Sequence, residues 1–166
     1  MRMIKFTTTI PGGDRRHYLT KEDVTMVLSR LPEETWWRLR AIHFNDQARG
    51  NRLLGYVNNG RREIALCALP PRLSLSTALT QGQSCEQFGA KYGEQWPPLA
   101  VRRFLLYDVL LHEVGHLQLV NPRTKSARLR FAHEKCAQEF AEEWRRKLWS
   151  ERFDHPDPVH NAPERN

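Results

Sequence analysis

Three cysteines in 166 residues, Cys67, Cys85 and Cys136, are too few and of the wrong parity for a disulfide framework. No stretch approaches 18 apolar residues, so no membrane-spanning helix is expected. The opening MRMIKFTTTIPGG is too short and too broken in its apolar run to read as a signal peptide. There is no internal repeat, no low-complexity tract and no run of one charge that would make a tail. At 40 % hydrophobic and 27 % charged residues the composition is that of a folded domain rather than a disordered chain. These absences leave a cytoplasmic protein of one domain over 1–149, with 150–166, which holds three Pro and little apolar content, as a flexible C-terminal tail.

The net charge of +7 points first to nucleic acid. Its distribution weakens that idea: residues 1–50 carry 9 basic and 6 acidic groups, 51–100 carry 5 and 3, and 101–166 carry 12 and 10. The excess is spread evenly, and the densest cluster, Arg123, Lys125, Arg128 and Arg130, reads as a solvated loop and helix start. Nucleic acid therefore stands as a less favoured partner than a protein or peptide.

Turn and cap signals divide the chain into a small sheet followed by helices, an α+β arrangement. Strands are expected at 2–8, 41–44, 52–57 and 62–68, the last two joined by Asn58-Asn59-Gly60 as a hairpin, so that the sheet should be mainly antiparallel. Strand 62–68 is either interior or an open edge able to pair with an extended partner. Thr20 is suited to cap a helix reaching Leu31. A weaker helical pattern covers 84–92. Trp96-Pro97-Pro98 opens a helix running to about Val120, where Asn121-Pro122 stops it, and a second long helix covers roughly 126–149.

The chemistry lies in the first of these long helices, at His112-Glu113-Val114-Gly115-His116. Two histidines at i and i+4 stand about 40° apart on one helix face, so both imidazoles can reach one metal ion. Glu113 is offset by about 100°, beside that ion but not on it, where a carboxylate can take a proton from metal-bound water. Zinc suits such a donor set and keeps one position open for water, whose pKa it lowers to about 7. The extended metzincin motif is excluded, because Leu119 and Pro122 stand where its Gly and last His would be. The third ligand must come from the next helix, which offers His133, Glu134 and Glu139. Measured from the centre of that helix's apolar stripe (Cys136, Ala137, Phe140, Ala141, Trp144, Leu148), His133 lies about 20° away, Glu134 about 80° and Glu139 about 140°. Glu139 should face water; His133 and Glu134 both stay open, and Cys136 is expected in the packing.

The H-E-x-x-H motif followed by Glu134-x-x-Ala137-x-x-Phe140-Ala141 resembles the small gluzincin metallopeptidases of the ImmA/IrrE type, whose members are intracellular bacterial proteins. The resemblance covers roughly residues 100–145. It implies a minimal zincin-like fold with its sheet packed on two long C-terminal helices, and Zn2+ held by His112, His116 and Glu134. It further implies peptide-bond hydrolysis, with Glu113 as general base, on an intracellular protein substrate bound along a sheet edge. Gln138 departs from the family's usual Asn or Asp, a residue that supports a metal-binding His. The alternative is a non-proteolytic, zinc-stabilised regulatory or DNA-binding protein with a SprT-like zincin fold, in which His133 would be the ligand. Tyr92, Tyr107, His155 and His160 are candidate donors to an oxyanion.

Overall fold

The computed structural model describes residues 3–48, 53–79, 83–119, 124–151 and 153–163. Its sheet has four strands, β1 (Lys5–Thr8), β2 (Ala41–Asn45), β3 (Gly55–Asn58) and β4 (Glu63–Cys67), in the order β1-β2-β4-β3. The β1–β2 and β2–β4 pairs are parallel and only β3–β4 is antiparallel, which corrects the expectation of a mainly antiparallel sheet. Connection length is the reason. Helix α1 (Lys21–Arg30) lies between β1 and β2 and gives the chain the span that a parallel return needs. Strand β3 then takes the outer position and leaves its hairpin partner β4 to enter beside β2. Strand β4 is therefore interior, and β1 and β3 are the edges.

Ile42, Ile64 and Leu66 point from the sheet into the core, and alternation along β2 sends His43 to the other face, beside Thr7 and Glu63. The β3–β4 turn departs from a tight Asn-Gly hairpin. Its left-handed residue is Arg62, at φ 59°, and the Arg62 amide closes a wider loop onto the Asn58 carbonyl at 2.7 Å.

Thr20 caps α1 as expected, its hydroxyl accepting from the Asp23 amide while the Asp23 carboxylate accepts from the Thr20 amide. The pattern at 84–92 yields only a 3-10 turn, Cys85–Phe88, because Gly89 at φ 90° ends it. From Pro98 the chain forms one continuous rod: α2 (Pro98–Phe104), a π-helical turn (Leu105–Val109) and α3 (Leu110–His116). Helix α4 (Ala127–Ser150), capped by Ser126, packs along α3. Ala137, Ala141 and Leu148 on α4 are buried, whereas Cys136 is exposed, against the expectation. In its place the stripe takes in Arg145, 5 % exposed.

One hydrophobic core runs from α1 and the sheet through the rod to α4. It also takes in Val159, so the reading of 150–166 as a tail without packing is corrected for its described part. Val159 and His160 are both buried. Arg30 fastens this segment, donating to the Tyr107 hydroxyl at 2.9 Å, the His160 carbonyl at 3.0 Å and the Leu148 carbonyl at 2.8 Å. Arg102 adds a fork onto Asp157 (2.7 and 3.3 Å) and reaches Asp23 at 3.0 Å. No helix among the described residues is long and apolar enough to cross a membrane.

His160 makes this docking dependent on pH. Its Nδ1 pairs with the Tyr107 hydroxyl at 2.8 Å, and burial pushes its pKa down to about 4. The unfolded chain takes up that proton near pH 6.5 and the folded chain only near 4. The stabilisation is therefore complete above about pH 6.5 and lost as pH falls towards 4, a change of about 3 kcal/mol. Urea unfolding between pH 7 and 4 should show this slope in the wild type and a flatter one in His160→Gln. Parallel slopes would contradict it.

Candidate metal centre

Gly115 sets how closely α3 and α4 meet. A Cβ there would fall 2.8 Å from the Ala137 carbonyl oxygen and 2.9 Å from the Ala137 Cα, so only glycine permits this approach. Within one helical turn of this contact, the seam carries the functional groups. His112 Nε2 lies 2.9 Å from Glu134 Oε2, His116 Nε2 lies 3.0 Å from Glu134 Oε1, and the two Nε2 atoms are 3.2 Å apart. One donor atom from each of the three residues falls within a 4.8 Å cluster. Of the three third-ligand candidates, Glu134 is the one that joins the histidines. Glu139 is exposed, as its angle implied, and His133 is half-buried nearby, adding to the positive field that lowers the His116 pKa.

The hydrogen bonds behind His112 fix which of its nitrogens is free. Asp108 Oδ1 accepts from Arg145 at 2.7 Å, from Gln138 Nε2 at 3.1 Å and from Gln83 Nε2 at 2.5 Å. Because the amide nitrogen of Gln138 points to Asp108, its Oε1 faces His112 Nδ1, at 2.8 Å, and can only accept. The His112 proton thus sits on Nδ1 and leaves a lone pair on Nε2. The free lone pair of His112 Nε2 then faces the Glu134 carboxylate and His116 Nε2, a group of donor atoms able to hold a metal ion. The extra methylene of Gln138, compared with Asn or Asp, is accommodated. Its amide reaches both His112 and Asp108.

Glu113 is 7 % exposed and lies outside the cluster on the same helix. Burial, aided by the Glu134 charge and opposed by His112, pushes its pKa up to about 7. Burial likewise lowers the His116 pKa, favouring the neutral imidazole that can serve as a ligand. Burial raises that of Asp108 against the pull of Arg145. The arrangement can hold one metal ion and presents a proton acceptor near neutrality beside it.

Comparison with known proteins adds nothing to this geometry. No family model, curated protein or solved structure matches the chain.

Asp108, Arg145 and Gln83 escaped the sequence reading. The signal was present: Asp108 inside the apolar run 104–111 and Arg145 in register with the buried stripe of Ala137, Ala141 and Leu148 are charges of opposite sign on facing helices. The oxyanion candidates fare less well. Tyr107 and His160 are buried against each other and Arg30, His155 stacks on Phe153, and Tyr92 is 76 % exposed. Of the two readings of strand 62–68, interior or open edge, the interior one holds; the edges are β1 and β3, and β3 packs against the rod. A Cβ at Gly55 would meet Val109 Cγ1 at 2.9 Å. Arg123 of the basic cluster lies outside the described residues, while Lys125, Arg128 and Arg130 are exposed around the start of α4.

Glu134→Ala should abolish stoichiometric metal binding, and His133→Ala should preserve it. Gln138→Ala should weaken affinity about 10- to 100-fold by freeing the His112 ring. Competition with a chromogenic chelator measures all three. Gly115→Val should abolish the site together with the helix approach, seen as lost metal binding and an unfolding midpoint at lower urea.

Proposed function

We propose that the protein is a zinc-dependent metallopeptidase of the gluzincin kind, similar to the ImmA/IrrE type, acting on a protein or peptide substrate in the cytoplasm. The observation that carries this reading is the meeting of His112, His116 and Glu134 with buried Glu113 on the same helix. Two imidazoles and a carboxylate suit zinc and leave a coordination position open. When bound there, zinc supplies Lewis acidity, lowering the pKa of water and polarising a carbonyl.

The chain's own groups supply the rest. Glu113, held near neutrality by burial, accepts a proton from the attacking water and returns it to the leaving amine. Gln138, backed by Asp108 and Arg145, holds the His112 ring in the tautomer that presents Nε2. Strand β3 pairs with β4 on one side and is an edge of the described sheet, where an extended substrate would add as a further strand.

A second reading draws on the exposed Lys125, Arg128 and Arg130: a zinc-stabilised protein that binds a regulator or DNA without cutting. Glu113 separates the two, since a structural ion needs no adjacent base. The zinc-loaded wild type should cleave unfolded casein or a mixed peptide library. Glu113→Gln should still hold one zinc per chain while losing about 100- to 10 000-fold in rate. If both proteins hold zinc and neither cuts, the peptidase reading fails.

A further inference from the structure

A cavity of about 470 Å³ opens beside His116. Its volume falls in the range that encloses a small ligand or a large side chain. Its wall is drawn from three parts of the chain: the turn after α1 (Glu34, Trp37, Arg38), the β3–β4 loop (Asn59, Arg62) and the end of α3. Gln118 ties two of these together, donating to the Thr35 carbonyl at 2.5 Å.

The charges of this wall are unbalanced. Arg38 and Arg62 both line it, and neither has a salt bridge among the described residues; Glu34 is its one acid, and both Glu34 and Arg38 are exposed. Arg38 is held over the Trp37 ring, 5.1 Å from its centroid, which orients the guanidinium without neutralising it. Arg62 is the more telling residue. It is the one described non-glycine residue at positive φ, locked there by its amide on the Asn58 carbonyl at 2.7 Å and its carbonyl accepting from the Arg40 amide at 2.8 Å. Gly or Asn would fit that backbone with less strain, so the turn itself gives no reason for arginine. What arginine adds is a positive charge on a half-buried residue of the cavity wall. Planar guanidinium groups bind carboxylates through paired, charge-assisted hydrogen bonds.

We propose that this cavity is a substrate subsite for a carboxylate, bound by Arg38 and Arg62, placed on a residue close to the bond that is cut. The proposal rests on the peptidase reading for its position relative to the scissile bond, and on the cavity alone for its chemistry. The carboxylate is either an internal Asp or Glu side chain or the terminal carboxylate of a peptide.

The test is fluorescence anisotropy on the zinc-loaded Glu113→Gln protein with labelled octapeptides of Ala and Gly carrying one central Glu. Matched peptides carry Gln instead, and each is made with a free and an amidated C-terminus. The Glu peptide should bind about tenfold tighter than its Gln counterpart. If the terminal carboxylate is the ligand, the tenfold difference follows amidation instead. The preference should vanish in Arg38→Gln and in Arg62→Asn, the latter chosen because Asn accepts the left-handed backbone, and Arg62→Lys should keep part of it. Circular dichroism confirms that each variant is folded. Equal affinities for all four peptides, including no binding of any, overturn the proposal, as does a preference that survives both arginine substitutions. The two readings separate cleanly. A carboxylate preference in a wild type that cuts nothing leaves the subsite standing and removes the peptidase. Cleavage without any such preference does the reverse.

Discussion

The contact between Gly115 and Ala137 governs the rest of the site. Two helices whose backbones touch at one residue bring side chains within a turn of that contact into reach of a common point. His112 and His116 lie on one side of that contact and Glu134 on the other, so the 2.9 and 3.0 Å approaches of Glu134 to the two imidazoles depend on a missing Cβ. A methyl group at 115 would meet the Ala137 backbone at 2.8 and 2.9 Å, closer than Cβ atoms pack, and would push the seam apart. The glycine in the motif is thus part of the candidate site, although it offers no side-chain donor atom.

A close seam between long helices also has to bury what lies behind the ligands. Here that burial includes Asp108 and Arg145, an opposed pair 2.7 Å apart with both side chains under 10 % exposed. Such a pair adds little net stability over an apolar contact, but removing either partner leaves an uncompensated charge. Its more specific effect is directional: it chooses the end of the Gln138 amide that faces His112, and hence which imidazole nitrogen is free. The π-helical turn that contains Tyr107 and Asp108 serves two sides of the molecule at once. Tyr107 faces Arg30 and the C-terminal segment, and Asp108 faces α4.

The sheet contributes position more than chemistry. Its outer strand β3 lies against the rod that carries the motif, and its last loop brings Arg62 to the cavity beside His116. The same loop shows where local signals mislead. Asn58-Asn59-Gly60 announces a hairpin correctly, yet the left-handed residue is Arg62, because the turn closes over a longer span than two residues. The weak helix at 84–92 shortened to one 3-10 turn for a similarly local reason, Gly89 at φ 90°.

The sequence by itself determined the elements with strong local signals: the Thr20 cap, the two long helices, the hairpin and the presence of a paired-histidine motif with an adjacent Glu. Those depend on spacing and capping within a few residues, which a linear reading can measure. Tertiary structure decided the choice of Glu134 over His133 at the cluster, because that depends on how α4 is rotated against α3 and not on the centre of its own apolar stripe. It also decided the mainly parallel sheet, the burial of Val159 and His160, and the Asp108–Gln138–His112 chain, since each joins residues more than 20 positions apart. A buried charge looks like an interruption until the opposite charge on the facing helix is in place.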